Sequence, residues 1–389
     1  MKEFDTILDR HHTNSVKWDT LKKSYGTSDL LPLWVADMDF KAPLAVRQAL
    51  SSYIDQGILG YTIYPDSLYN AIISWQKRRH DFVIEKEAIL FNSGVVPSLS
   101  LAVQAYTNPG DAVMIHDPVY PPFAAVVKEN GRKLIASPLK TGTSFQMNFE
   151  EMEKQLTENQ VKLFILCNPH NPGGRVWTKE ELIQVGKLCQ KHHVLVVSDE
   201  IHQDIVYEKD SFTTFQKADP SFKDFSIVLT AATKTFNLAG IKNSMIFIKD
   251  RSLKETFQKT QHRNHQDEIN TFGIIGTQAA YNHGEQWLDD LLVYLKENID
   301  YTCQFFEQHL PKVKVLRPQA TYLIWLDFSA YSLTDRQLQK KMIQEAKVVL
   351  NPGITFGSQG ASHMRLNVAC PRATLEQALT QILTAFKED

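Results

Sequence analysis

With 389 residues the chain is long enough for two domains and a large buried core, so a single small module is excluded. Charged residues make up 22% and hydrophobic ones 43%, and 42 Lys+Arg nearly balance 44 Asp+Glu. That is a globular composition with no electrostatic case for nucleic acid.

The chain begins with Met1 to Arg10, acidic and polar where a secretory signal needs a basic start and an apolar stretch, and no run of about 18 apolar residues follows anywhere. The expectation is a cytoplasmic protein without membrane segments. From Ile89 to about Ile248 short apolar runs alternate with amphipathic ones, the pattern of an α/β fold with a mostly parallel sheet covered by helices. The candidate strands are Ile89–Asn92, Ala112–His116, Lys133–Ala136, Val161–Leu166, Val194–Ser198, Ile227–Leu229 and Ser244–Ile248. Between them, Thr178-Lys179-Glu180-Glu181 reads as a capping box opening a helix to about His192. After Gly284 the texture changes to helices Glu285–His309 and Thr334–Ala346 around a strand at Tyr322–Asp327, closing with a helix from about Thr374 to Phe386. This gives a large domain over 46–284 and a smaller α+β domain made of 1–45 and 285–389.

Several polar residues follow the carboxyl ends of candidate strands, where open α/β sheets bind ligands. At Asn92-Ser93-Gly94-Val95-Val96 a strand ends, Gly94 permits a turn and an apolar helix begins, so free N–H groups suit a phosphate as well as an ordinary strand-to-helix turn. Pro118-Val119-Tyr120-Pro121-Pro122 fixes an aromatic ring that can stack on a flat ligand or simply pack. In Asn168-Pro169-His170-Asn171-Pro172-Gly173-Gly174, proline stiffens a turn from which Asn171 can donate a hydrogen bond. Asp199 stands at a strand end, where a buried carboxylate needs a cation such as a protonated heterocycle nitrogen, or else caps a helix. Lys234 lies among small and apolar residues in Thr230–Gly240; desolvation disfavours its ammonium form and favours imine formation, while a surface loop lysine is the plainer reading. Arg365 interrupts an apolar strand, where a substrate carboxylate is a bidentate match.

Other chemistries lack their patterns. Neither G-x-x-x-x-G-K nor G-x-G-x-x-G is present, against nucleotide hydrolysis and a Rossmann site. His11-His12, His192-His193 and His262-x-x-His265 do not form H-E-x-x-H, so no metal is expected. Cys167, Cys189, Cys303 and Cys370 are scattered and read as buried free thiols.

The ordered set Asn168–Gly173, Asp199–Asp204, Lys234–Gly240 and Arg365 resembles fold-type I pyridoxal-5'-phosphate (PLP) enzymes of the aspartate-aminotransferase-like class, over nearly the whole chain. Leu33-Trp34-Val35-Ala36-Asp37-Met38-Asp39-Phe40, Gly60-Tyr61-Thr62, Gly94-Val95-Val96, Asp199-Glu200-Ile201-His202 and Thr233-Lys234-Thr235-Phe236-Asn237 are similar to the MalY/PatB group of cystathionine beta-lyases and cysteine desulfhydrases. The resemblance implies that Lys234 holds PLP as a Schiff base, Asp199 pairs with the pyridine N–H, Asn171 bonds the 3'-oxygen and Tyr120 stacks on the ring. Lys234, Tyr120 and Asp199 would be the catalytic set. Gly94, the Val95 and Val96 N–H groups, Thr233 or Thr230, and Lys242 would serve the phosphate; Arg365, with Asn171 and Tyr120, would hold the substrate. Tyr61 would reach the phosphate of a partner subunit, implying a homodimer with shared sites.

Two positions depart from the broad class: His202 stands where tyrosine is common, which fits the lyase group, and Ala231 stands where a phosphate-binding serine is common, which leaves the phosphate hydroxyl open. The implied reaction is α,β-elimination of a sulfur amino acid to pyruvate, ammonia and a thiol or hydrogen sulfide. An aminotransferase, or a non-catalytic regulatory binder, would share these residues.

Overall fold

The computed structural model describes residues 3–209 and 211–387; Met1, Lys2, Asp210, Glu388 and Asp389, which the expected domain boundaries take in, lie outside them. The N-terminal segment supplies β1 (Leu31–Pro32). Next come β2 (Ile89–Asn92), β3 (Ala112–Asp117), β4 (Lys133–Pro138), β5 (Leu163–Cys167), β6 (Leu195–Asp199), β7 (Ser226–Thr230) and β8 (Ser244–Phe247). They form one seven-stranded sheet in the order β2-β8-β7-β6-β5-β3-β4. All its pairings are parallel except those of β8, which runs against both β2 and β7. Apolar patterning does not carry strand direction, because β8 is as completely buried as β7, which pairs in parallel with β6. Edge strand β4 alternates in exposure and extends to Pro138, past the apolar Leu134–Ala136 run that marked it in the sequence.

The strands β5 and β6 begin and end one or two residues later than their apolar runs suggest, which makes Cys167 and Asp199 strand residues. The helix Lys179–Lys191 carries the expected capping box: Glu181 N–H donates to Thr178 Oγ1 at 3.2 Å, and Thr178 N–H donates to the Glu181 carboxylate at 2.7 Å. The sequence-expected helix over 334–346 is observed as Asp335–Gln344, with Thr334 outside as the cap. The last helix starts earlier than expected, at Arg372.

Beyond the helix Glu285–His309, β9 (Lys314–Leu316), β10 (Leu323–Asp327), β12 (Asn351–Pro352) and β13 (His363–Asn367) form a four-stranded antiparallel sheet, β12-β13-β10-β9. The short β11 (Val348–Val349) pairs in parallel with β1. Asp39 N–H also donates to Ala369 O at 2.9 Å, and Phe4 packs against Phe40 and Tyr294. The N-terminal segment thus folds onto the C-terminal elements. One hydrophobic core runs from Phe4 and Leu33 through Trp75 to Tyr294, Tyr322 and Leu379. It buries the apolar stripes of the N-terminal segment, the helix Asp66–His80 and the last helix together, which is what fixes the two sheets relative to each other.

Candidate active site

The cavity residues from the large sheet are delivered by strand ends, whereas Arg365 comes from within β13. Tyr120 follows β3 as the N-cap of the helix Pro121–Glu129. Asp199 is the last residue of β6, and Lys234 sits in the single helical turn Ala232–Thr235 after β7. Val95 and Val96 open the helix Val95–Tyr106 after β2. Asn171 lies in the turn 168–174, closed by Gly174 N–H donating to His170 O at 2.7 Å. Gly174 has φ +62°, and a Cβ there would stand 2.3 Å from Pro318 and 2.7 Å from the Ala320 carbonyl, so only glycine fits. His170 bonds Pro118 O through Nε2 at 2.9 Å, tying the Asn171 turn to the Tyr120 loop. Burial, with His116 close by, lowers this imidazole to about 3 and keeps it neutral.

Tyr120, Asn171, Asp199, His202, Lys234, Val95 and Val96 converge on one cavity of about 90 Å³. Ala36, Cys167 and Ile201 complete its wall, and none of the three was singled out as a site residue by its side-chain chemistry. Asp199 is buried, and burial raises its carboxyl to about 7, against a hydrogen bond from Ile201 N–H (3.1 Å) and the charge of Lys234. No helix follows Asp199, so the capping alternative does not hold. Lys234 is partly buried rather than a surface lysine; desolvation and the nearby Arg365 lower its amine to about 8, opposed by Asp37 and Asp199. His202 is buried and held neutral, at about 3, by desolvation and by the cations Lys234 and Arg365; its Nδ1 has no partner.

Arg365 carries the most telling imbalance. Its guanidinium is buried and donates to Asn171 Oδ1 (3.0 Å), Trp34 O (3.0 Å) and Asn351 Oδ1 (2.7 Å), all neutral acceptors, with the Phe356 ring 4.9 Å from the charge. Its Nε has no partner, and no carboxylate of the described residues lies within ion-pair distance. A buried cation so placed is suited to a carboxylate from outside the chain. Together, an amine that deprotonates near neutrality, an acid in need of a cation, and an arginine in need of an anion fit PLP with an amino acid substrate.

The segment Trp34–Phe40 has a structural task that its residue types did not reveal. Its consecutive carbonyls accept from side chains: Trp34 from Arg365, Val35 and Asp37 both from Asn367 Nδ2 at 2.7 Å, and Met38 and Phe40 from Asn237 Nδ2 at 2.9 and 2.8 Å. Between them, Ala36 O accepts from Lys234 Nζ at 2.6 Å and from the Tyr322 hydroxyl at 2.9 Å. Below the strap, Arg10 and Lys17 bridge Asp37 and Asp39 at 2.7 to 3.6 Å, with Lys17 wholly buried. Tyr322 had been noted only as a strand residue.

Some expected residues lie apart from the cavity. Tyr61 is fully exposed, and Lys242, with φ +52°, is exposed after the turn Ala239–Ile241. Thr230 donates its hydroxyl to Glu200 O at 3.4 Å, and neither it nor Thr233 lines the cavity wall. Gly94 has extended backbone at the head of its helix. Cys167, Cys189 and Cys370 are buried, but Cys303 is only partly so, which corrects the expectation that all four are buried. Among the described residues no helix is long and apolar enough to cross a membrane, and no three His, Cys, Asp or Glu side chains converge as a metal site requires.

Residues 28–382 match the model of aminotransferase class I and II. Cystathionine beta-lyase PatB of Bacillus subtilis is 44% identical over 385 residues, covering 98% of this chain and 99% of that protein, and protein MalY of Escherichia coli is 31% identical over 390 residues, covering 100% and 99%. Cystalysin from Treponema denticola, whose crystal structure contains a pyridoxal 5'-phosphate cofactor, superposes with a TM-score of 0.96 at 33% identity, over 99% of this chain and 98% of that one. The PLP-bound C-S lyase from Staphylococcus hominis superposes with a TM-score of 0.92 at 34% identity, over 98% and 97%. With the family model spanning most of the sequence and such relatives matching end to end, this chain belongs to the aminotransferase class I and II family.

Proposed function

We propose that this chain is a PLP-dependent carbon–sulfur lyase that cleaves cystathionine- or cysteine-type amino acids by α,β-elimination, releasing pyruvate, ammonia and a thiol or hydrogen sulfide. The observation that carries the reading is the buried Arg365, which has no carboxylate partner among the described residues and donates to Asn171, a residue of the cavity that Lys234 and Asp199 also line. The preference for elimination over amino transfer rests on the relatives named as lyases: the cystathionine beta-lyases of Bacillus subtilis and Corynebacterium glutamicum are 44% and 32% identical and the Staphylococcus hominis C-S lyase 34%, against an aminotransferase of Bacillus subtilis at 25% and a Clostridium difficile protein named as an aminotransferase at 43%.

When bound, PLP supplies an electron sink for the electrons freed as the substrate α-proton leaves. Lys234 would hold it covalently, Asp199 would keep its ring nitrogen protonated, and Asn171 and Tyr120 would set its plane. Val95 and Val96 line the cavity from a helix start, where an anion is favoured, and their N–H groups would take the phosphate with help from Gly94, Thr230 or Thr233, and Lys242. Neutral His202 would lie against the ring. Arg365 would orient the substrate through its α-carboxylate. Lys234, once released by exchange with the substrate amine, would take the α-proton, which its lowered pKa allows near pH 8. The sulfur substituent would leave the adjacent carbon with the C–S bonding pair as a thiol, and hydrolysis of the released enamine by one water would give pyruvate and ammonia.

The reading includes a homodimer with shared sites, in which Tyr61 reaches the phosphate of the other copy. The exposed apolar residues Ile54, Ile58, Leu59, Tyr61 and Ile63 support a second copy as the cover for this stretch. It also includes a larger unit over 46–284 and a smaller one over 1–45 and 285–389, supported by the β1–β11 pairing, and a cytoplasmic location, in keeping with four unpaired cysteines. The test is purified protein given L-cystathionine or L-cysteine with no keto acid. Pyruvate is expected; turnover that starts only when a keto acid is added would replace the lyase with an aminotransferase.

A further inference from the structure

The Lys234 amine and the Tyr322 hydroxyl share a single acceptor, the Ala36 carbonyl, at 2.6 and 2.9 Å. A carbonyl oxygen has two lone pairs, so these two donors saturate it. The carbonyl is not free to turn, because Asn367 grips the carbonyls on either side of it, those of Val35 and Asp37. Tyr322 is equally fixed. It is wholly buried, with its ring edge-on to His202 at a centroid distance of 6.1 Å. The residue before it, Thr321, is β-branched yet held at φ +68°, an unfavourable conformation sustained by Thr321 N–H donating to Ile205 O at 2.8 Å and by Tyr207 donating its hydroxyl to Thr321 O at 2.5 Å. Strain maintained beside a functional amine marks a position that the fold keeps for a purpose.

We propose that Tyr322 is a positioning residue for Lys234: by occupying half of the Ala36 carbonyl it fixes where the free amine rests and limits how strongly that carbonyl holds the ammonium form. The proposal rests on the assignment of Lys234 as the base in the lyase reading. An amine that donates one N–H to a fixed carbonyl has its lone pair aimed by that bond. If the same carbonyl were left to the lysine alone, it would favour the form with more N–H donors and more charge, and the base would be harder to free. The charged groups that act on the amine are Arg365 from β13, Asp37 from the strap and Asp199 from β6, with His202 facing it after β6. Tyr322 itself lies beside Asp37, Arg365 and the His202 ring, so the variant must keep the ring and remove the hydroxyl alone.

The test uses Tyr322→Phe in the full-length chain. In cofactor-free protein, the pH midpoint for acetylation of Lys234 by acetic anhydride, read by peptide mass spectrometry, should rise by about half to one unit. In the PLP-loaded enzyme the acid limb of the kcat–pH profile for pyruvate formation from L-cystathionine should move up by the same amount, a loss of roughly three- to tenfold at pH values below the limb. Tyr106→Phe, which removes a hydroxyl bonded to Leu253 O and to nothing around Ala36 or Tyr322, should leave the labelling midpoint where it was. An unmoved midpoint in Tyr322→Phe overturns the proposal. If that variant does not fold, difluorotyrosine at position 322, a stronger donor, must lower the midpoint, and no movement overturns it equally. Wild-type enzyme that forms no pyruvate would refute the lyase reading, while the labelling arm would still decide the role of Tyr322.

Discussion

Replacing Asp204 tests whether the turn that bears Lys234 is held from behind by a buried carboxylate. Asp204 is buried and accepts from Trp75 Nε1 at 3.0 Å, from His80 Nε2 at 2.7 Å and, on its other oxygen, from the Thr235 hydroxyl at 2.7 Å. Thr235 directly follows Lys234. Burial acts to raise this carboxyl, but His80, Thr235 and Trp75 outweigh it and hold it below its usual range. Asp204→Ala leaves three buried groups without their acceptor, at about 1–3 kcal/mol each before relaxation. That is a large part of the ~5–15 kcal/mol by which a folded chain is stable. Asp204→Asn keeps one oxygen for Trp75 and His80, and the Thr235 hydroxyl can turn to accept from the new amide, so the loss should stay near about 1–2 kcal/mol. The assay is urea unfolding of the cofactor-free protein followed by tryptophan fluorescence at pH 7. Because the folded-state pKa is depressed, the advantage of wild type over Asp204→Asn is present above the unfolded carboxyl pKa and should shrink as pH falls through the folded value. An alanine variant within about 1 kcal/mol of wild type, or an asparagine variant as damaged as the alanine one, would refute the reasoning.

Three further outcomes follow from the same geometry. Lys234→Ala should lose the imine absorbance of the loaded protein and most pyruvate formation; an absorption spectrum with the wild-type imine band would contradict its assignment. Arg365→Lys keeps the charge but loses the planar fork, so the KM for L-cystathionine should rise roughly ten- to a hundredfold, on the scale of about 1.5–3 kcal/mol for charge-assisted bonds; steady-state kinetics with an unchanged KM would count against it. For Asp199 the sign is opposite to that of Asp204: its folded pKa is raised to about 7, so the cofactor-free wild type binds the extra proton at mid-acid pH and loses stability as pH rises from about 4 to 7. Asp199→Asn should therefore gain on wild type across that window in urea midpoints, and a pH-independent difference would show that the carboxyl is not desolvated.

The sheet and the strand ends were legible because burial on both faces leaves continuous apolar runs, and because Asp199, Asn171 and Lys234 each follow such a run. Strand direction was not: β8 reads like its neighbours and runs the other way. Nor was the strap. Trp34–Phe40 stood out as a group signature, but its contribution is made by backbone carbonyls, which are the same for every residue type, and by partners between 197 and 332 positions away. Tyr322 read only as the start of a strand, because a hydroxyl bonded to backbone leaves no pattern in the sequence.

The sequence by itself determined the α/β class and the capping box at Thr178 and singled out Lys234, Asp199 and Arg365 as candidates, since periodicity and residue chemistry are local properties. Only the tertiary structure decided that Arg365 has no carboxylate partner among the described residues, that Lys234 and Tyr322 meet at one carbonyl, and that Tyr61 and Lys242 are exposed and outside the cavity wall of a single chain. Those outcomes depend on which distant segments share one desolvated space, where an unmatched charge or a shared acceptor matters far more than it does in water.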